Sequence, residues 1–465
     1  MVVSASTAAA ASSGSCQQQP LKSSNSPRHS LDDLEELLSP HQKVQWSRGR
    51  NKGGGLARLR KPKTQILSIG TAQPSEKLTP AEFVSSVINR SSEYLSEQEQ
   101  RKAQTRLQGI INSTQLQCKP YSPDWSDIKG IQYAFAAAVE ACEVIPEDID
   151  LLIYSGCNKG FLEPSQAHYV TNALRIPHAH AFDVTEACAG FARALEIADL
   201  YLTNGRAQTV AIVSATSPPE DDLRLKSVAD VEHKFGSLTV SCCATATIVG
   251  RVGHQVEGMS LELVRNTDSR GVTMSSLPTK HYRGFLGENT GTNEWVAANG
   301  TTSAKDARER LDNEEFNVFS GPLFACGRDL SARCLGAMSD EQKDGKVFVT
   351  HSAAKDTAYA GLGIPEDANH LNLYTSMGNC ADSTLPMSIA TGVLEGRIQS
   401  GDQISFVLPA SGNTCVAGCV TLPAGTKSTD SVSIKEGGIL INSICLSEHH
   451  LDTVCVLSNL AALEL

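Results

Sequence analysis

Two distant stretches of the chain repeat the same order of sequence elements. The first reads LRIP, a strand-like run, TEACAGF, a helical run, NGR and the strand-like run TVAIVSA. The second reads LGIP, LNLYTSMGNCADS, a helical run, EGR and ISFVLPASG. Cys188 precedes Gly205 of the first GR by the same number of residues as Asn379 precedes Gly396 of the second. The repeat predicts two copies of one α/β unit, with Cys188 and Asn379 at equivalent strand-to-helix corners that face each other across a central cleft.

Apolar runs and helical runs also alternate around the repeat. TQILSIGT and DIDLLIYSG are strand-like, whereas IQYAFAAAVEACEVI places its apolar residues on a 3.6-residue period. Such alternation is typical of an α/β fold whose sheets are covered on both faces. The sequence therefore predicts an α/β protein with buried sheets.

Composition excludes several classes of function. A formal net charge of -11 argues against a general nucleic-acid binder and against docking on an anionic membrane. No window reaches 18 consecutive apolar residues, so we expect no transmembrane helix. The 14 cysteines are scattered through apolar runs, which favours free, buried thiols in a reducing compartment. The Cys, His and carboxylate residues lack ligand spacing, so no metal is expected.

The two ends of the chain differ from its middle. Residues 1–62 are low-complexity at first, lack Asp and Glu over the first 30 positions and close on basic residues and glycines. These features favour a disordered segment in a cytoplasmic protein. The alternative is a transit peptide, which would place the protein in the plastid stroma. We predict a first half at 63–258, a second half at 259–426 and an extension of unknown role at 427–465.

Cys188 stands where an apolar strand-like run hands over to a helical pattern. A thiol there feels the positive end of the helix dipole and unpaired backbone N–H groups, which predicts a pKa lowered from about 8.5 toward roughly 3.5–7.5. The small neighbours Ala187, Ala189 and Gly190 would leave the sulfur approachable. A nucleophile and a buried structural cysteine both fit these residues, and the second is the commoner fate of a cysteine.

His351 and Asn379 are the partners that the sequence offers. His351 ends the strand-like run KVFVT, at a position where α/β proteins build their sites, and Asn379 lies in MGNCADS. Alone, the first is a capping or surface histidine and the second a turn residue. Cys, His and Asn in this chain order also occur in papain-like proteases, but their cysteine lies near the mature N-terminus in a different context. The mid-chain EACAGF disfavours a protease.

At these residues the sequence resembles the thiolase superfamily, most closely its β-ketoacyl-ACP synthase III class, which is related to the type III polyketide synthases. DVTEACAGF is similar to the family's D-V-x-x-A-C-A-G-F motif. VTHSAAKDTA is similar to the family's strand that ends in His, and GNCADSTLP is similar to its G-N-T-S-A-A-S-x-P motif. The resemblance covers about residues 64–422. It implies a five-layered αβαβα fold of two duplicated halves, and a homodimer.

The resemblance also implies a reaction. Cys188 would take an acyl group from a thioester, and the backbone N–H groups of Cys188 and Gly412 would hold the oxyanion. His351 and Asn379 would donate hydrogen bonds to a malonyl thioester while carbon dioxide leaves, and its enolate would attack the acyl-cysteine. Acyl-CoA or acyl carrier protein would be the co-substrate, in fatty-acid or polyketide-type synthesis, with no tightly bound cofactor.

Three departures from the family pattern concern the substrate. The family's His-Gln-Ala-Asn is HSAA here, with Ser352, and its glycine-rich turn is GNTC, with Asn413. Glu186 stands two residues before the nucleophile, where it could raise the pKa of the thiol or contact the substrate. These three residues are predicted to line the substrate pocket. The alternatives left open are acyl transfer to a hydroxyl or amine, a non-catalytic partner of the same fold, and a hydrolase.

Overall fold

The computed structural model describes residues 63–157, 163–218, 224–234, 236, 239–252, 258–267, 274–277, 315–318, 320–351, 362, 364–365, 368–422 and 431–446. They all belong to one unit, Arg60–Leu465. The predictions made for residues 1–62 and for Ser352 fall outside the described residues.

The chain forms the following strands and helices. The strands are β1 (Lys63–Pro74), β2 (Lys77–Leu78), β3 (Lys119–Pro120), β4 (Leu151–Ser155), β5 (His180–Val184), β6 (Thr209–Thr216), β7 (Cys243–Val252), β8 (Ser260–Thr267), β9 (Met274–Leu277), β10 (Glu315–Val318), β11 (Val347–Thr350), β12 (His370–Leu371), β13 (Gln403–Ala410), β14 (Thr414–Thr421), β15 (Ser431–Glu436) and β16 (Ile439–Cys445). The helices are α1 (Pro80–Arg90), α2 (Glu97–Thr114), α3 (Asp127–Ala141), α4 (Gln166–Ala173), α5 (Gly190–Thr203), α6 (Asp230–His233), α7 (Ser320–Ala337), α8 (Asp340–Lys343), α9 (Tyr374–Met377) and α10 (Thr384–Leu394). Short 3₁₀ turns occur at Pro146–Asp148, Ala187–Ala189 and Ala381–Ser383.

Two mixed sheets share one topology. The first has the order β15-β16-β1-β7-β6-β4-β5 and the second the order β12-β11-β13-β14-β8. When β15 and β16 are left out, each sheet has five strands. If these strands are numbered by their order in the chain, both sheets have the spatial order third, second, fourth, fifth, first. In both, the second strand is parallel to the third and fourth, and the fifth is antiparallel to the fourth and first. The α/β prediction with two duplicated halves is confirmed, while the boundaries at 258/259 and 426/427 remain predictions.

Helices α5 and α10 lie between the two sheets. Nine residues of α10 are buried around its whole circumference, as expected of a helix that is apolar on every face. Both helices contact strands of the first sheet and each other, and they share one apolar cluster with Val349, Phe406 and Val420 of the second sheet. Helices α3 and α4 cover the outer face of the first sheet, and α7 that of the second. The layers are therefore αβαβα.

The C-terminal extension forms a hairpin on the edge of the first sheet. Strand β16 pairs antiparallel with β1, from Cys445 beside Ser68 to Ile439 beside Pro74, and β15 pairs with β16. The hairpin turns at Gly437 and Gly438, both with positive φ (52° and 78°), as a two-residue type I′ turn requires. The extension thus lengthens the first sheet beyond the duplicated five strands.

Candidate active site

Cys188 lies in the turn that joins β5 to α5. The 3₁₀ turn Ala187–Ala189 follows the strand, Ala187 takes a positive φ of 44°, and α5 begins at Gly190. Cys188 is 6% exposed and belongs to the apolar cluster between the sheets. The predicted placement of the thiol at a strand-to-helix corner is therefore what the structure shows.

The ionisation of this thiol differs from the sequence prediction. Burial is the largest influence and raises the pKa of Cys188 far above its usual value; the nearby Asp382 carboxyl raises it further. A hydrogen bond from the residue's own backbone N–H acts the other way but is weaker. The predicted lowering of the thiol pKa is therefore wrong for the resting protein, because the loss of solvent outweighs the backbone's favourable contribution.

His351 is anchored to the other corner. It follows β11, its backbone N–H donates to the Val407 carbonyl (3.1 Å), and its Nδ1 lies 2.8 Å from the hydroxyl of Thr384, the first residue of α10. Burial lowers the pKa of His351 to about 4, so the ring is neutral at pH 7. When Thr384 donates to Nδ1, the single ring proton is on Nε2, which can then donate to a ligand.

Asn379 follows a left-handed glycine, Gly378, at the end of α9. The Asn379 N–H donates to the Thr239 carbonyl (2.8 Å), and its carbonyl accepts from the Ser241 N–H (3.0 Å). Its side-chain Oδ1 accepts from the Ala381 N–H (2.8 Å). Because Oδ1 is held in this way, the amide acts toward a ligand through Nδ2, which can only donate.

The segment that seats Asn379 is itself held by a buried lysine. The ammonium group of Lys119 donates to the Val240 carbonyl (2.9 Å) and lies 4.1 Å from the centre of the Phe83 ring. Burial lowers the pKa of Lys119 to about 7. The Ser241 hydroxyl donates to the Met377 carbonyl on the opposite side. Sequence patterns do not reveal Lys119, because nothing near it in the chain connects it with Asn379.

Each duplicated half has a corner with the same backbone geometry. Ala381 has a φ of 43°, against 44° for Ala187, and each residue opens a three-residue 3₁₀ turn that runs into a helix. The two corners are equivalent, as predicted, but the residue that matches Cys188 within its corner is Asp382 rather than Asn379. Counting back from the glycine after each helix misaligns the two corners by three residues, because α10 has 11 residues and α5 has 14.

The two corners pack directly on each other. The turn Ala187–Ala189 contacts the turn Ala381–Ser383, as well as strands β13 and β14. Gly412, with a φ of 117°, and the buried Asn413 form the connection between these two strands. The structure thus brings the corner of Cys188 together with the elements that carry Asn379, Gly412 and Asn413.

Glu186 faces a different set of residues. Its carboxylate lies 3.0 Å from Nε of Arg193, whose Nη1 lies 3.0 Å from Glu196, and Arg265 also pairs with Glu196. The carboxyl group that raises the pKa of Cys188 is Asp382. Asp382, rather than Glu186, is thus the carboxyl group that perturbs the pKa of the thiol. Contact of Glu186 with the substrate stays a prediction.

Three further properties follow from the described part of the chain. It contains no group of three His, Cys, Asp or Glu side chains placed to hold a metal ion. Over the same residues, no helix combines the length and the apolar character that crossing a bilayer requires. The 12 cysteines within the described ranges are all free thiols.

Comparisons with known proteins agree with this architecture. Residues 182–263 match the family model of 3-oxoacyl-[acyl-carrier-protein (ACP)] synthase III. The chain is 26% identical over 296 residues to the β-ketoacyl-[acyl-carrier-protein] synthase III of Oceanobacillus iheyensis, and 27% identical over 296 residues to that of Bartonella bacilliformis. Each alignment covers 63% of this chain and 82% of the relative.

Solved structures show the same fold. A variant of Xanthomonas campestris OleA with bound lauric acid and lauroyl-CoA superposes with a TM-score of 0.57 at 18% identity, covering 78% of this chain and 99% of that one. The synthase III, FabH, of Xanthomonas oryzae has a TM-score of 0.57 at 18% identity, covering 77% and 98%. The chain therefore has the thiolase-like fold of these OleA and FabH structures. In sequence it is similar to ketoacyl synthases III, at about a quarter identity.

Proposed function

We propose that this protein is an acyltransferase that accepts an acyl group from a thioester on Cys188 and condenses it with a malonyl thioester. The observation that supports the proposal most is that the turn carrying Cys188 contacts the turn Ala381–Ser383. Asn379 accepts from the first residue of that second turn, and His351 contacts Thr384 just after it. The synthase III relatives named above support the reaction class.

The first half-reaction is formation of the acyl-cysteine. The sulfur attacks the thioester carbonyl, and the carbonyl oxygen becomes an oxyanion that backbone N–H groups can stabilise. The Cys188 N–H and the turn at Gly412 are the proposed donors. OleA with bound lauroyl-CoA shows that this fold can hold a long-chain acyl-CoA, which supports an acyl thioester as the donor.

The second half-reaction uses the two hydrogen-bond donors. A neutral His351 with its proton on Nε2 and the Nδ2 group of Asn379 would both donate to the thioester oxygen of the malonyl group. Negative charge collects on that oxygen as carbon dioxide leaves, and donors already fixed in place stabilise it without reorganisation. Neither donor depends on pH near neutrality, because burial keeps the pKa of His351 at about 4.

The test separates the two half-reactions. Intact-mass spectra after incubation with a panel of acyl-CoAs should show one acyl adduct on the wild type and none on Cys188→Ala. Addition of malonyl-CoA or malonyl-ACP should then release carbon dioxide and remove the adduct. The absence of any adduct on the wild type would overturn the proposal and favour a non-catalytic partner of this fold.

One alternative keeps the acyl-cysteine and changes the acceptor. The family's His-Gln-Ala-Asn is replaced by HSAA, and this change favours transfer to a hydroxyl or an amine. In that reaction the adduct disappears when an alcohol or an amine is added, without malonyl thioester and without carbon dioxide. The release of carbon dioxide therefore decides between the two acceptors.

The remaining aspects of the proposal concern partners and location. Within the described residues, β5 is an edge strand that pairs only with β4. We propose that this edge meets a second copy of the chain in a homodimer, with CoA or acyl carrier protein delivering substrate from solution. Cytoplasm is the proposed location, with the plastid stroma as the alternative.

A further inference from the structure

Asp382 is a carboxyl group in an apolar interior, at the point where the two corners meet. It is 2% exposed, and its Oδ1 would lie 2.3 Å from a Cβ atom built on Gly190. Gly190 opens α5, two residues after Cys188, so no larger residue fits there while the carboxyl group keeps its place. The duplication has thus placed an acid of one corner against the first residue of α5, two residues after the thiol of the other corner.

The hydrogen-bond partners of Asp382 are neutral. The Ser155 hydroxyl donates to Oδ1 (3.4 Å), and the thiol and backbone N–H of Cys157 also hydrogen-bond the carboxyl group. Within the described ranges, no Lys or Arg forms an ion pair with it. A buried carboxylate without a cation is costly, which favours its neutral, protonated form.

The titratable groups that face Asp382 come from two elements. Tyr154 and Cys157 approach from the end of β4, and Cys188 from the first corner. His351, which directly follows β11, contacts Thr384 of the helix after Asp382, and its ring is neutral well above pH 4. Burial raises the pKa of Asp382 to about 7, and it raises the pKa of each of the two thiols and of the phenol well above their usual values. Asp382 is therefore the first of these acids to ionise as the pH rises.

We propose that the Asp382 carboxyl group and the Cys188 thiol form one acid–base pair that carries a single negative charge, and that Asp382 takes the thiol proton when the sulfur attacks. This inference rests on the proposed role of Cys188 as acyl acceptor. As the S–C bond forms, the S–H bond breaks, the proton passes to the Asp382 carboxylate, and the carbonyl π electrons move to oxygen. When the oxyanion collapses, the bond to the leaving sulfur breaks, and Asp382 returns the proton to the departing thiolate.

Asp382 suits this step better than His351 does. A base is effective when its pKa lies close to the working pH. The pKa of Asp382, about 7, meets this condition, whereas that of His351, about 4, makes its ring a weak base. The Nδ1 atom of His351 is also occupied by the Thr384 hydroxyl. Asp382 therefore transfers the proton in the first half-reaction, and His351 donates a hydrogen bond in the second.

Alkylation of Cys188 by iodoacetamide tests the pair without any thioester. The rate is measured from pH 5 to pH 10 by mass spectrometry of the peptide that contains Cys188. For the wild type, the rate should rise through about pH 7, as the pair acquires its charge, and then level off. In Asp382→Asn the pair is lost, so the rate should climb about tenfold per pH unit with no plateau. Asp199→Asn is the matched control, because Asp199 lies on α5 and accepts from the Thr64 hydroxyl; it should keep the plateau.

A second variant covers the case in which Asp382→Asn does not fold. Ser155→Ala removes the hydroxyl that donates to Oδ1, a bond that lowers the pKa of Asp382. The step in its alkylation profile should therefore move to higher pH. A wild-type rate with no step near pH 7, a plateau retained in folded Asp382→Asn, or an unmoved step in Ser155→Ala would each overturn the pair. An intact step in a protein that takes no acyl group would instead overturn the proposed function alone.

Discussion

Replacement of Gly378 by alanine should disable the second half-reaction and spare the first. Gly378 has a φ of 70° and a ψ of -158°, a conformation that essentially only glycine adopts. A Cβ atom there would lie 2.6 Å from the Ser241 Oγ and 2.6 Å from the Thr239 carbonyl oxygen. That carbonyl accepts the backbone N–H of Asn379, so the added methyl group must displace the turn that carries the predicted donor.

The magnitude follows from two contributions. Backbone strain for alanine in this region costs on the order of 1–3 kcal/mol, and forcing a methyl group into a filled space costs about as much again. We expect a loss of about 2–4 kcal/mol in the free energy of unfolding, part of it relieved as the turn shifts. A displacement approaching 1 Å at a reacting group can cost about 100-fold in rate. Condensation should therefore fall by about two orders of magnitude.

The control is Gly396→Ala. Gly396 has nearly the same φ, 69°, but an added Cβ atom would meet nothing within 4 Å. Its cost should be backbone strain alone, about 1 kcal/mol. Denaturant unfolding gives the two stabilities, intact mass after addition of acyl-CoA gives acylation, and release of carbon dioxide gives condensation. Equal stability and equal condensation in Gly378→Ala and Gly396→Ala would refute the argument that residues 239–241 hold Asn379 in position.

Three further predictions follow from the same geometry. Thr384→Val should slow condensation about tenfold, because the hydroxyl no longer orients His351, while acylation measured by intact mass stays unchanged; equal slowing of both steps would contradict this. His351→Ala should form the acyl adduct but release no carbon dioxide from malonyl thioester, and normal release would refute its role as a donor. Between pH 6.5 and pH 4 the wild type should lose stability relative to His351→Gln. In this range the unfolded chain binds a proton on His351, whereas the buried ring of the folded protein, with its pKa of about 4, does not. Unfolding midpoints that shift equally in both proteins between pH 7 and pH 4.5 would refute this prediction.

The residues that sequence patterns located are those whose signal is local. Cys188 and Asn379 lie in short motifs beside helix starts, and His351 ends an apolar strand. The hairpin β15–β16 also has a local signal, since IKEGGILINSI alternates around a Gly-Gly pair.

Other features of the site depend on tertiary packing. Lys119 holds the segment that seats Asn379 through the Val240 carbonyl, and no pattern in the sequence links segments so far apart. Asp382 stands inside the GNCADS motif, but its equivalence to Cys188 is concealed by the shorter helix of the second half. The pKa of Cys188 was predicted from its place at a helix N-terminus, and burial, which a sequence does not display, decided its direction.

The duplication explains why the turns that carry the acid and the thiol contact each other. Each half must turn from a strand into a central helix, and the two central helices pack against each other, so their first turns meet. The residues at the second position of the two turns, Cys188 and Asp382, are both buried where the turns contact each other. When one such residue is a thiol, the other can influence it only through charge or through a proton, and Asp382 is equipped for both. In the proposed pair, the number of protons, rather than the dipole of one helix, is then the quantity that would set how readily Cys188 accepts an acyl group.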